Sequence, residues 1–189
     1  MNEEVLKILK DTGALLDGHF ILTSGLHSPH YIEKFRVFEQ PAYTEKLCKM
    51  IADNYREKNI SVVIGPMTGG IILAYEVGRQ LGTRAIFTER IEGKMLLRRG
   101  FKLSPEDRVL VVEDIITTGG SIQEVIDIVK QHGSTIVGLS CLVDRSSGKA
   151  KFDVPFKPLL KMDVVSYKPE ECTMCKNGSK PVKPGSTNR

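Results

Sequence analysis

The stretch Arg108–Ser121, RVLVVEDIITTGGS, carries the information that decides the fold. Apolar residues run without polar alternation up to two adjacent carboxylates, Glu113 and Asp114, after which hydroxyls and glycines take over. Such a run suits a strand buried on both faces, as in a parallel sheet covered by helices. Beyond the glycines, Ile122, Val125, Ile126 and Val129 share one helical face before Gly133, so the segment reads as strand, loop, helix. In an open parallel sheet, ligands bind beyond the carboxyl ends of the strands. The carboxylates and the loop are expected at that edge.

The loop Ile115-Ile116-Thr117-Thr118-Gly119-Gly120-Ser121 enters the helix with converging backbone N–H groups. A helix start attracts a phosphate by about 0.3–1 kcal/mol through its dipole alone. Gly119 and Gly120 let the backbone approach an anion with no Cβ in the way, and Thr117, Thr118 and Ser121 offer hydroxyl donors. No Lys follows the glycines, which excludes a Walker-type nucleotide loop. Two carboxylates beside a phosphate cradle would repel a polyphosphate unless a metal or sugar hydroxyls stood between. A 5-phosphosugar removes the conflict, with its phosphate on the loop and its 2- and 3-hydroxyls donating to the acids.

Working outward, Glu3 to Leu16 reads as an amphipathic helix burying Val5, Ile8 and Leu9. HFILTSGLHSPHYIEKF alternates apolar pieces with turn residues, as strands joined by a tight loop do. Pro41 opens a helix to about Lys58 with Leu47, Met50 and Ile51 inward. ISVVIG is a strand, GGIILAYEVGRQLG a helix stopped by Gly82, and RAIFTE a further strand. Glu89 to Lys102, basic and Gly-flanked, reads as a long loop, while STIVGLSCLVD and KMDVVSY supply two more strands. The alternation predicts an α/β fold with a mostly parallel sheet and flanking helices. Three regions follow: an N-terminal helix and hood over 1–40, a core over 41–167, and a Cys/Lys/Pro-rich tail over 168–189 expected to pack poorly.

The chain has 189 residues, 41% hydrophobic and 26% charged, which is enough for one globular domain. No apolar run nears the roughly 20 residues that span a bilayer. The N-terminus lacks the basic-then-apolar order of a secretory signal, so a cytoplasmic protein is expected. The net charge of +4 fits an anionic small substrate and equally a basic surface kept for solubility. With no Trp and few aromatics, a base-stacking nucleic-acid platform is not expected.

VLVVEDIITTGGS resembles the phosphoribosyl-diphosphate (PRPP) signature of the type I phosphoribosyltransferases. FILTSGLHSPHYIEKFRV resembles the hood that the orotate phosphoribosyltransferases place over the orotate ring, GPMTGGIILAYEVGRQLG their diphosphate-binding loop, and CLVDRSSG the strand end whose arginine meets the orotate carboxylate. The resemblance covers almost the whole chain. It implies transfer of a phosphoribosyl group from PRPP to orotate, with Mg²⁺ as cofactor, and a homodimer in which loop 89–100 reaches the neighbouring site. A purine-base phosphoribosyltransferase and a PRPP-sensing regulator are the alternatives, disfavoured by Arg145, the hood, and the lack of a helix-turn-helix.

By the same resemblance, Lys94, Glu113 and Asp114 are the catalytic candidates. PRPP would be held by Arg90, Lys94, Thr68, Gly69 and residues 113–121, and orotate by Thr23, Ser24, Gly25, Thr117 and Arg145. Mg²⁺ would be held mainly by PRPP and waters, with Glu113 and Asp114 ribose holders first and metal contacts second. A non-proline cis peptide is expected near Met67-Thr68. The chain departs from the family at Ile91, Leu96 and Gly69, where basic residues or His are usual, so Arg98 or Arg99 is expected to supply charge instead.

EECTMCKNG holds Cys172-x-x-Cys175, with no second paired motif after it. His19, His27, His30 and His132 lie far from it in sequence, without ligand spacing. The cysteines read first as an incidental or redox-linked pair, then as half a metal site and last as a catalytic thiol, with no stoichiometric zinc expected, and the histidines read as surface or hood residues.

Overall fold

A computed structural model describes residues 2–22 and 24–184. In chain order the elements are α1 (Glu3–Asp11), β1 (Leu15–Ile21), β2 (His27–Ile32), α2 (Phe35–Phe38), α3 (Pro41–Asp53), β3 (Val62–Pro66) and α4 (Gly69–Leu81). These are followed by β4 (Arg84–Ile91), β5 (Lys94–Leu97), β6 (Arg108–Ile116), α5 (Gly120–Gln131), β7 (Thr135–Asp144), β8 (Leu160–Lys161) and α6 (Thr173–Lys176).

The main sheet has the order β5-β4-β3-β6-β7-β8, parallel throughout except for β5, which pairs antiparallel with β4. Side chains alternate along a strand, and here both sides are apolar. Val63, Leu110 and Val112 pack on one face with α1, α3 and α4, and Val62, Ile64, Val109 and Val111 on the other with α5. That double burial is why RVLVV shows no polar alternation.

From β3 the chain crosses through α4 outward to β4; from β6 it crosses through α5 in the opposite direction to β7. The loops after β3 and β6 therefore diverge from adjacent strands and leave a crevice between them, the usual ligand position in a doubly wound sheet. β1 and β2 form a separate antiparallel hairpin.

Five expectations need correction. The first helix ends at Asp11, not Leu16: the Thr12 hydroxyl donates back to the Ile8 carbonyl at 2.8 Å and Gly13 turns left-handed, so Leu15 and Leu16 begin β1. The second helix ends at Asp53, followed by a separate turn over Arg56–Lys58. Glu89 to Lys102 is not a long loop, because β4 and β5 form a hairpin across Glu92 and Gly93, with φ of 49° and 82°. Two left-handed residues in a two-residue connection make the turn whose twist matches paired strands. Of KMDVVSY only Lys161 joins a strand, as the end of Leu160–Lys161 beside β7, and Tyr167 adds a bridge to His27.

The fifth concerns the tail, which is tied to the hairpin although nearly all of its side chains stay exposed. Val182 exchanges backbone hydrogen bonds of 2.8 Å with His19 and Ile21, and Cys172 is fully buried. The cysteines and two histidines that seemed unrelated in sequence, His19 and His27, converge there.

Gly138 in β7 offers a test of the packing, since a Cβ there would stand 2.6 Å from the buried Tyr55 ring. Gly138→Ala is expected to destabilise by about 1–3 kcal/mol through overpacking. Urea denaturation should show a lower midpoint with an unchanged slope.

Candidate active site

β6 does not stop before its carboxylates; it carries them. Glu113 and Asp114 lie within the strand, buried, with Glu113 opposite Cys141 of β7. Their oxygens are partly occupied by the local backbone: Glu113 Oε1 accepts from the Asp114 N–H at 3.0 Å, and Asp114 Oδ1 from the Ile115 N–H at 2.6 Å. Asp114 Oδ2 lies 2.7 Å from Lys34 Nζ, close enough for an ion pair but poorly aligned for a hydrogen bond. Lys34 follows β2, so the hairpin's end is tied electrostatically to the end of β6.

Burial pushes both carboxyls above the usual range. Lys34 opposes the shift at both, but Glu113 also faces the charge of Asp114 and is pushed up to about 8. The pair is thus arranged to hold one negative charge more readily than two.

The loop after β3 closes against the same point. Its Met67–Thr68 peptide is cis, and α4 starts at Gly69. A Cβ at Gly69 would lie 1.8 Å from Asp114 Oδ2, so only glycine allows this approach. Asp114 thus fills the space beside the start of α4, and Lys34 stands against the same oxygen.

Thr117, Thr118, Gly119, Gly120 and Ser121 bring the chain from β6 into α5. Gly119 has φ of 83°, and the Phe152 ring covers the position its Cβ would take, at 2.8 Å. No side chain caps α5, so the N–H groups of its first turn remain directed out of the helix end. Thr117, Thr118 and Ser121 are exposed around them.

Arg145 follows β7 directly, and its backbone N–H donates to the Ile116 carbonyl at 2.8 Å, which places it beside the loop. Its guanidinium is partly buried and held below its ordinary value by desolvation, partly offset by Tyr31 of β2. Among the described residues its buried Nε has no hydrogen-bond partner. Ser24 and Gly25 lie exposed in the connection of the β1–β2 hairpin, with no hydrogen bond to Arg145 or the loop. Thr23 lies outside the described residues.

The basic segment is only partly free. Arg90 makes two hydrogen bonds, 2.6 and 3.1 Å, to Glu124 in α5, and is therefore held by the protein rather than open toward the crevice. Arg98 and Arg99 both pair with the buried Glu89. Glu89, which would otherwise be an uncompensated buried carboxylate, is their partner in the folded chain, while both guanidiniums stay largely exposed. Lys94 is exposed next to the hairpin turn, between Ile91 and Leu96, and among the described residues it forms no ion pair.

Residues 36–171 match the family model for the phosphoribosyl transferase domain. The chain is 51% identical over 184 residues to the orotate phosphoribosyltransferase of Desulforamulus reducens, covering 97% of this chain and 96% of that one. The chain belongs to the orotate phosphoribosyltransferases. The member from Pelotomaculum thermopropionicum is 52% identical over 184 residues, covering 97% of both chains. The crystal structure of the member from Aeropyrum pernix superposes with a TM-score of 0.72 at 27% identity, covering 84% of this chain and 93% of that one. Lys34, beside Asp114, was not singled out from the sequence; a single Lys after a short strand carries no distinguishing pattern.

Glu113 has a measurable pH signature. Burial and the neighbouring Asp114 push its carboxyl up to about 8 in the folded chain, so between the usual carboxylate range and that value the folded state binds more protons than the unfolded one. Stability should therefore fall as pH rises through that interval. Glu113→Gln removes the group, and its thermal midpoint is expected to depend less on pH over the same interval than the wild type's.

Proposed function

We propose that this chain transfers the 5-phosphoribosyl group from PRPP to orotate, giving orotidine 5'-monophosphate and diphosphate, a step of pyrimidine nucleotide synthesis. The observation that carries the reading is the juxtaposition at one sheet edge of a phosphate-sized helix start, a buried acid pair and a partly buried arginine. The 5-phosphate sits on the N–H groups and hydroxyls of Thr117–Ser121. The ribose hydroxyls donate to Asp114 and Glu113, and the negative charge that the pair holds faces the positive charge that develops on the sugar as the diphosphate leaves. Correctly placed charge of this kind contributes roughly 10²–10³-fold in rate per group.

Orotate brings a planar carboxylate, and a guanidinium matches that geometry with paired donors. Arg145, with its unpartnered Nε, takes this role, and Tyr31 of the hood is near enough to act on it electrostatically. Thr68 and Gly69 offer backbone to the diphosphate, and Thr117 lies between the two substrates. Ser24, Gly25 and Thr23 are assigned to the hood over orotate.

Mg²⁺ fits the donor set only as a guest of the substrate. The oxygens of Asp114 and Glu113 are hard ligands, but two carboxyls are too few for a cage and one holds its proton near neutral pH. When bound, the ion neutralises the diphosphate. Asp114, relieved by Lys34, keeps its orientation toward the sugar.

The enzyme is assigned as a homodimer. Phe35, Met67 and Tyr75 are exposed apolar side chains around a groove lined by Phe38, Pro41, Ile71, Ile72 and Tyr75, beside the Thr68–Gly69 loop. A second copy seated there buries these groups and brings a neighbouring hairpin, with Lys94, toward the diphosphate. No helix is long and apolar enough to cross a membrane, and a cytoplasmic location is part of the same reading.

The direct test follows orotate absorbance with PRPP and Mg²⁺, against hypoxanthine, adenine and uracil. In that assay Arg145→Ala is expected to raise the orotate KM far more than the PRPP KM, and equal effects would remove Arg145 from the carboxylate. Complementation tests the dimer. Lys94→Ala and Asp114→Ala homodimers should each be nearly inactive, while mixed dimers recover one intact site and a substantial part of the activity. Verified heterodimers as inactive as their parents would place Lys94 in its own subunit's site or in none.

A further inference from the structure

Outside the acid pair and its loop, the densest group of ligating side chains joins three distant pieces of chain. His19 lies in β1, His27 in β2, and Cys172 and Cys175 flank the start of α6. Their donor atoms all lie within 4.8 Å of one another. His19 Nε2 is 3.0 Å from His27 Nδ1, 3.4 Å from Cys172 Sγ and 3.8 Å from Cys175 Sγ, and Cys175 Sγ is 3.3 Å from His27 Nδ1. We propose that His19, His27, Cys172 and Cys175 form a closed tetrahedral zinc site that fastens the C-terminal segment to the hood hairpin.

The distances support a metal centre. With zinc bonds of about 2.3 Å to sulfur and 2.0–2.1 Å to nitrogen, a tetrahedron has edges of about 3.3 Å between nitrogens and about 3.6 Å between nitrogen and sulfur. The recorded edges scatter around those values. Two thiolates and two imidazoles in a tetrahedral arrangement are a donor set typical of zinc.

The surroundings favour the same assignment. His19 Nδ1 is 3.1 Å from the Ser179 carbonyl, which can only accept, so the ring proton sits on Nδ1 and Nε2 presents its lone pair to the cluster. Such an outer partner commonly orients a metal-bound histidine. His19, His27 and Cys172 are buried and Cys175 is half-buried, and four protein donors leave no open position, so the site is structural rather than catalytic.

The tail needs such a fastening. Of the described residues from 168 to 184, Cys172 alone is fully buried, and Val182 is largely exposed despite its backbone pairing with β1. Apolar burial is therefore too small to order this segment, whereas metal ligation couples directly to folding. His19 and His27 lie on either side of the connection that carries Ser24 and Gly25, so the ion also limits the motion of that connection.

The test measures metal and thiols in the full-length protein purified under reducing conditions without chelator. One zinc per chain is expected, with loss of that zinc in Cys172→Ser and His19→Ala. His27→Cys, which supplies a replacement ligand, should retain it. Metal-stripped wild type reloaded with Co²⁺ should show thiolate charge-transfer and tetrahedral d–d absorption, absent from Cys172→Ser loaded identically. Stripping should also speed hydrogen exchange in 168–184 and around the β1–β2 connection while the main sheet stays protected. A reduced, folded wild type that binds neither Zn²⁺ nor Co²⁺ through its thiols would overturn the proposal. So would a Cys172–Cys175 disulfide in the metal-free protein as purified, or zinc retained equally by both loss variants. None of these readouts depends on turnover.

Discussion

The position of one carboxylate constrains the centre of this molecule. Asp114 is delivered by a strand buried on both faces, so it can move little, and its Oδ2 occupies space that a side chain at position 69 would need. Gly69 is thereby required, α4 starts close against β6, and the loop carrying Thr68 is held beside the acid pair. The same oxygen draws Lys34 to it and so ties the end of the hairpin to the sheet edge. Lys34 also lowers the cost of a negative charge in a site where Glu113 is pushed toward protonation.

Cations around the crevice divide by what already holds them. Arg98 and Arg99 compensate the buried Glu89, and Arg90 fastens the β4–β5 hairpin to α5 through Glu124. Their formal charge contributes to the field at the site, but their side chains have protein partners. Lys94, exposed beside the turn, is free of that restraint.

The hood presents a different problem. A two-stranded hairpin is marginal by itself in water, and here it is supported from both ends. Lys34 holds the end near the sheet, while Tyr167, Val182 and the His–Cys cluster brace β1 and β2 from the tail. The catalytic fold and the added tail thus meet on the element expected to cover the base.

Local chemistry made much of this legible from sequence alone. The unalternating RVLVV, the glycines and hydroxyls of TTGGS, and the periodic face of Ile122, Val125, Ile126 and Val129 state a buried strand, an anion loop and a helix within one stretch, because each depends on neighbours in the chain. Arg145 and the cis peptide were legible only through family resemblance. The β4–β5 hairpin was missed because charged residues hid a turn made by Glu92 and Gly93. The salt bridge from Lys34 to Asp114, the capture of Arg98 and Arg99 by Glu89, and the meeting of His19 and His27 with Cys172 and Cys175 had no sequence signal. Each joins residues from separate elements, and only the packing of the hairpin, sheet and tail decides which distant charges and ligands come within reach.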